Sequence, residues 1–315
     1  MANLFVTTLV AICIASFSMV FTVLVMMPFA GALIRLRANY NPRAVGFDGT
    51  DNHVGPRLTG MIDTLKRTKR LEGWYGIYKG AYAMFAFMLV ITISSVIFVG
   101  GSAKRGPKGT YTVPAEGGIR MGIFFLILSL VSLPMAVIVN RSVITPYRLT
   151  NNPRESLLVL LSPHELARPT SLYTSPGLLV AVLLRSAAVV IIAGTMRWLF
   201  MGSSKTLEDI SAWKIVVWYI FQALSATWLT PLEVIQTKLS VQPNIGEVSI
   251  EDPDGGAPEG LRFAGTEEDV VGLRPTTEPY LGFVDAVRKI IDEEGWQALY
   301  RGWIWTAFGA VFAAH

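Results

Sequence analysis

Few side chains in this sequence could do chemistry, and most of those lie far apart. The three histidines, His53, His164 and His315, and the single cysteine, Cys13, have no metal-ligand spacing. No zinc site is therefore expected, and one cysteine cannot form an intrachain disulfide. Phosphate-binding glycine loops, dinucleotide fingerprints and serine elbows do not occur. No paired catalytic groups are visible, so neither an enzymatic reaction nor a cofactor is expected. Asn140-Arg-Ser142 matches the glycosylation pattern, but its place at a helix end argues for coincidence. Two isolated charges stand out. Arg185 divides the charge-free runs Leu178–Leu184 and Ser186–Met196, and Glu233 directly follows the charge-free run Ile215–Leu232.

The elements that position these charges follow from where charge is missing. Of the 315 residues 52% are hydrophobic and 16% charged, against about 25% charged in an ordinary soluble domain. Besides the two runs just named, charge is absent from Met1–Ile34, Gly80–Ser102, Met121–Asn140 and Trp303–His315. A membrane helix takes about 20 apolar residues, and helix is the one open structure that satisfies its own backbone in lipid. Six spans are expected. The first has no basic leader and no cleavage site, so it reads as a span or signal anchor rather than a cleaved signal peptide. The sixth gives about 20 Å at 1.5 Å per residue, so it either starts earlier, thins the bilayer or is cut short. Polar segments after the odd spans are long (35–79, 141–174 and 238–301) and hold 19 of the 27 Lys and Arg. That bias puts the long loops on the inside face and both termini on the other. In the first of them Lys66, Arg67, Lys69 and Arg70 lie on an amphipathic stretch that could meet anionic headgroups or simply face solvent.

The sequence repeats. Gly60, Asp63, Glu72, Gly73, Trp74, Tyr78, Lys79 and Gly80 recur, 222 residues on, as Gly282, Asp285, Glu294, Gly295, Trp296, Tyr300, Arg301 and Gly302. Each copy reads as a short amphipathic surface helix leading into a span. A worn middle copy keeps Leu172-Tyr173 and the leucine stripe 157–161 but lacks Glu-Gly. Pro28, Pro134 and Pro231 fall in the three odd spans, where proline deletes a helix hydrogen bond and kinks the helix. Repeats are expected at 1–102, 103–201 (degenerate) and 202–315. The Pro-, Gly- and acid-rich stretch 243–279 is expected to be a disordered insertion, since such a composition cannot bury a core.

Three repeats of this form resemble the mitochondrial carrier family. The best-matched motif residues are Pro231, Glu233 and Lys238, then Tyr280-Leu-Gly-Phe-Val-Asp285 and Glu294-Gly-Trp-Gln-Ala-Leu-Tyr-Arg-Gly302. The resemblance implies an all-α membrane protein, with six transmembrane helices in three pseudo-threefold repeats and short surface amphipathic helices. It also implies gating at the prolines. The family closes one end with a ring of acid–base pairs, but the acid positions here hold Ala30, Ala136 and Glu233 and the first-base positions Leu33, Val139 and Gln236. Only the outer bases Arg35, Arg141 and Lys238 remain. No three-membered ring is expected, and any closure must be largely apolar. Phe98-Val99 and Phe200-Met201 lack the acid of the family's second ring. Glu233 then stands alone at depth, where an ionisable group is a functional candidate; it is either a polar site, with Arg35 or Arg141 in reach, or a relic acid at the interface.

The resemblance places substrate contacts about two turns inside the even helices. Arg185 lies slightly beyond that level, and Phe87 and Gly309 occupy it on the second and sixth helices. Arg185 is read as an anion contact facing the cavity; the alternative is a partner among helix carbonyls or headgroups. The expected function is alternating-access transport of a small anionic, partly apolar solute in the mitochondrial inner membrane. The alternative is a carrier-fold protein of the outer membrane that no longer transports. Nucleic acid is not an expected partner.

Overall fold

The computed structural model describes residues 2–45, 51–53, 55–100, 104–105, 111–112, 119–150, 152–201, 211–244, 262–265 and 268–312. Twelve helices follow in order: α1 (Ala2–Ala38), α2 (Met61–Tyr78), α3 (Ala81–Gly100), α4 (Ile119–Ile144), α5 (Pro153–Leu160), α6 (Pro163–Ala167), α7 (Leu178–Ala187), α8 (Gly194–Met201), α9 (Ala212–Leu224), α10 (Ala226–Val241), α11 (Phe283–Lys289) and α12 (Trp303–Phe312). A π-helical turn, Ala188–Ala193, joins α7 to α8. Two small antiparallel ribbons pair β1 (Arg43–Val45) with β2 (Asp51–His53) and β3 (Lys104–Arg105) with β4 (Tyr111–Thr112).

Among the described residues four stretches are long and apolar enough to cross a membrane: Ile14–Ala38, Gly122–Ile144, Leu178–Phe200 and Ala212–Val241. A fifth arises if Met61–Tyr78 and Ala81–Ile97, bent by 40°, count as one. Among the described residues four or five spans are found where six were expected. The sixth run forms α12, ten residues long, or about 15 Å at 1.5 Å per residue, roughly half a bilayer core. Residues 313–315 lie outside the described residues. The outward faces suit lipid: Phe17, Phe21, Leu24, Val25 and Met26 of α1 are all exposed, a contiguous apolar surface that a water-soluble monomer rarely shows.

Two apolar clusters hold the bundle. The larger joins Leu133 and Val137 of α4, Leu178, Ala181 and Val182 of α7, and Ile235 and Leu239 of α10 to Ala286, Ile290 and Leu299. The smaller joins Leu36 and Ala38 of α1, Leu58, and Leu71 of α2 to Val270 and Val271, with Ile144 and Val241 packed on it.

That second cluster corrects the reading of 243–279. Residues 245–261 and 266–267 are outside the described residues. Of its described residues, 262–265 and 268–279 form an ordered strap: Val270 and Val271 are buried, Tyr147 bridges Phe263, and the Tyr40 N–H donates to the Gly272 carbonyl at 2.8 Å. Average composition failed because one Val-Val-Gly segment supplies the apolar anchor that the flanking Pro, Gly and acids do not.

The first and third copies fold alike in detail. An aspartate caps a backbone N–H four residues back in both, Asp63 for Thr59 at 3.2 Å and Asp285 for Leu281 at 2.8 Å. The glycine between surface helix and span is left-handed in each, Gly80 at φ +89° and Gly302 at φ +76°. A Cβ on Gly80 would lie 2.6 Å from Ser142 Oγ of α4, so close approach and backbone hand both demand glycine.

Candidate functional site

Each odd span ends in a buried base, and the surface helices supply its acid. Arg35, Arg141 and Lys238 lie seven residues after Pro28, Pro134 and Pro231, which sit half-buried inside α1, α4 and α10. Arg35 Nη2 and Lys79 Nζ hold Glu72 at 3.2 and 2.7 Å. Lys238 Nζ and Arg301 Nη1 hold Glu294 at 2.7 and 2.8 Å. Arg141 meets both oxygens of Glu165 at 2.5 and 2.8 Å. Glu165 also accepts the N–H groups of Ser162 and Asn244, each at 2.9 Å. Burial pushes the Glu165 carboxyl up, yet the guanidinium and these N–H groups hold it below its ordinary value. The surface segment after α4 thus supplies an acid to Arg141 as α2 does to Arg35. Ser162-Pro-His-Glu165 forms a capping box, a pattern legible in sequence but hidden by the search for Glu-Gly.

These bases also bond forward around the bundle. Lys79 donates to the Thr145 carbonyl just past α4. Arg141 donates to the carbonyls of Ser240 and Gln242 at the end of α10, at 3.0 and 2.8 Å. Lys238 donates to the Asn39 carbonyl just past α1 at 3.0 Å. The end of α4 is thus tied to Lys79, the end of α10 to Arg141 and the end of α1 to Lys238.

Further into the bundle the structure brings Arg185 and Glu233 together. Arg185 Nη2 and Nε stand 3.1 and 3.3 Å from Glu233 Oε1. The other oxygen, Oε2, takes Arg37 Nη2 at 2.7 Å and the Thr306 hydroxyl at 2.8 Å. Arg37 Nη2 lies equally close, 2.7 Å, to Thr306 Oγ. Helices α1, α7, α10 and α12 thus converge on one carboxylate. Side-chain exposures of 10% for Arg37, 17% for Glu233 and 41% for Arg185 leave Arg185 as the open member. Arg185 stands at the last turn of α7, immediately before the π turn, a distortion that often marks functional positions in helices. Two bases on one acid give the cluster one net positive charge.

Glu233 is therefore not alone, and its partners differ from those expected. Neither Arg35 nor Arg141 reaches it; both are occupied by surface-helix acids. Arg37 does, because it lies one helical turn, four residues, beyond the first-base position Leu33 and shares its face. That i+4 spacing was the available signal. Of the other candidates, Gln236 is half-buried on α10, Phe87 is half-buried on α3, and Gly309 lies exposed on α12 with open space at its Cβ position. Phe87 and Gly309 take no part in the hydrogen-bonded cluster. In the basic stretch, Arg67 turns to Glu268 at 2.5 Å and Lys69 sits 4.5 Å from the centre of the Trp74 ring. Lys66 and Arg70 are exposed.

Fold and site define a helical membrane protein whose spans gather charge at the bundle interior rather than toward lipid. Residues 210–315 match the family model described as mitochondrial carrier protein, so this segment of the chain is similar to that family. A comparison with curated proteins found no match.

Proposed function

We propose that this protein is a solute transporter of the mitochondrial inner membrane, working by alternating access on a small anionic, partly apolar metabolite without catalysing a reaction. Its architecture would be six spans in three pseudo-threefold repeats, 1–102, 103–201 and 202–315. Bonds from Lys79, Arg141 and Lys238 to the ends of α4, α10 and α1 link the three helices in a closed cycle, which supports that arrangement. The family match of the C-terminal segment supports transport in general.

One observation carries the substrate class. Arg185 shares Glu233 with Arg37 while 41% of its side chain stays exposed. A guanidinium has five N–H donors, and Glu233 engages only two of the groups on Arg185. A carboxylate-sized anion can take the remainder, or displace Glu233 from Arg185 while Arg37 and Thr306 keep it. With one monoanion bound the cluster is neutral, whereas a polyanion would leave excess charge among apolar walls, a costly arrangement. Anionic headgroups would meet Lys66, Lys69 and Arg70, with Arg67 held back by the strap.

In proteoliposomes the wild type is expected to show saturable uptake of monocarboxylate-type anions. Arg185→Ala should reduce it to the rate of empty vesicles, at unchanged insertion and helix content. Absence of uptake across a broad anion panel, with the protein folded, defeats the reading.

A further inference from the structure

The strap formed by residues 262–265 and 268–280 touches all three copies at the long-loop end of the bundle. To the second copy it pairs through Tyr147 and Phe263, whose rings lie 5.2 Å apart. Two backbone bonds flank that bridge, Arg148 N–H to the Arg262 carbonyl at 2.8 Å and Ala264 N–H to the Pro146 carbonyl at 2.9 Å. On the first copy it seats against α2 so closely that a Cβ on Gly265 would stand 2.3 Å from the Leu71 carbonyl oxygen. Arg67 of α2 clasps Glu268 and the Val270 carbonyl at 2.5 and 3.3 Å. Past α1, Asn39 Oδ1 accepts the Gly272 N–H at 3.0 Å.

Toward the third copy, Arg274 is forked onto Glu293 at 2.5 and 2.8 Å. Its guanidinium lies over the rings of Tyr40 and Tyr280, at 5.3 and 4.8 Å. At the centre, Val270 and Val271 are 6% and 7% exposed. They belong to one apolar cluster with Leu36 near the end of α1 and Leu71 of α2, and Ile144 and Val241, at the ends of α4 and α10, pack against that cluster. A hollow of about 360 Å³ remains between the strap, Arg35 and Glu72.

We propose that this strap is a latch: its two valines plug the gap between the three odd-helix ends and its polar anchors tie them together, so the long-loop face opens only when the strap leaves. The ionic ring that Ala30, Ala136, Leu33, Val139 and Gln236 cannot make is replaced here by an apolar wedge inserted from the third loop. Three helix ends sharing one wedge cannot separate without exposing it, which makes strap release and helix separation one event. The latch rests on the gated-bundle reading for its consequence, but its test needs no solute.

The probe is a charged, membrane-impermeant thiol reagent applied to the full-length protein, carrying Gln236→Cys in a Cys13→Ser background. Gln236 lies deeper in α10 than Val241, so labelling reports separation of the helix ends. The double variant Val270→Asp, Val271→Asp, whose charges cannot stay in the plug, is expected to raise the labelling rate at least tenfold at unchanged helix content. An unchanged rate overturns the latch. Should that variant fail to fold, hydrogen exchange on the wild type decides. Amides of Ala264 and Gly272 are expected to exchange slowly and together; exchange at the rate of open chain overturns the latch.

Discussion

Carboxylates held by two bases occur at the rim of the bundle and at its centre, and the two settings differ in what they hold together. At the rim, Glu72 takes Arg35 and Lys79, and Glu294 takes Lys238 and Arg301. Each acid has side-chain exposure of 8% or less, and each partner 17% or less. Both join an odd helix to the surface helix of its own copy. At the centre, Glu233 takes Arg37 from the first copy, Arg185 from the second and Thr306 from its own, and Arg185 stays nearly half open. In these rim nodes every charge pair stays inside one copy, and only the bonds of Lys79 to the Thr145 carbonyl and of Lys238 and Arg301 to the Asn39 carbonyl cross to the next. An open node between copies must be remade whenever they shift, so it can couple a bound anion to motion. Desolvation offsets much of the attraction in a fully buried pair, so the rim nodes specify packing more than they add net stability.

The sharpest way to break this comparison is to remove one acid from the rim. Glu294→Ala strips the counter-charge from Lys238 and Arg301 and should cost about 3–5 kcal/mol, the usual penalty for leaving a buried charge unpaired. It is read as loss of thermal stability in detergent. A loss below roughly 1 kcal/mol, the range of exposed pairs, would place the rim and centre in one class.

The rim was legible where residues recur at fixed spacing. The 222-residue offset marked Glu72 and Glu294 together with Lys79 and Arg301, because a left-handed glycine and a buried acid leave little choice of residue. The centre was half legible. Arg185 and Glu233 stood out as lone charges in apolar runs, but spacing within one helix does not say which charges from other helices will meet them. Arg37 looked like the start of a polar loop because it follows Arg35 closely; only the four-residue step from Leu33 puts it on the inner face. The strap was illegible for a different reason. Its anchors Arg67 and Asn39 lie 201 and 233 residues away in the sequence from the strap residues they hold, so nothing local marked a segment rich in Pro, Gly and acids as held in place.

The centre gives the second test. Since Arg185 is 41% exposed, Arg185→Ala should lower stability by less than about 1 kcal/mol, as for exposed pairs, while Glu233 keeps Arg37 and Thr306. The same substitution that abolishes uptake should thus barely move the melting temperature. A loss as large as that of Glu294→Ala would make Arg185 a packing residue, and the anion reading would lose its support.

The smallest effect separates the middle copy from its neighbours by pH. Burial alone would raise the Glu165 carboxyl, but Arg141 and the N–H groups of Ser162 and Asn244 hold it below the 4.5 of a free glutamate. A carboxyl depressed in the folded state contributes stability above its unfolded value, and that contribution is lost as pH falls through the folded one. Melting temperature should therefore be flat from pH 7 to about 5 as far as this group is concerned, then fall on further acidification. Glu293, lowered by its bond from Arg274 and outside the spans, adds a fall of the same sign. Glu165→Gln should start from a lower melting temperature and lose less of it on acidification than the wild type. Parallel curves would mean that Arg141 is held by the carbonyls of Leu160, Ser240 and Gln242 rather than by the carboxylate, and that the middle copy is stapled by backbone where the outer two are stapled by charge.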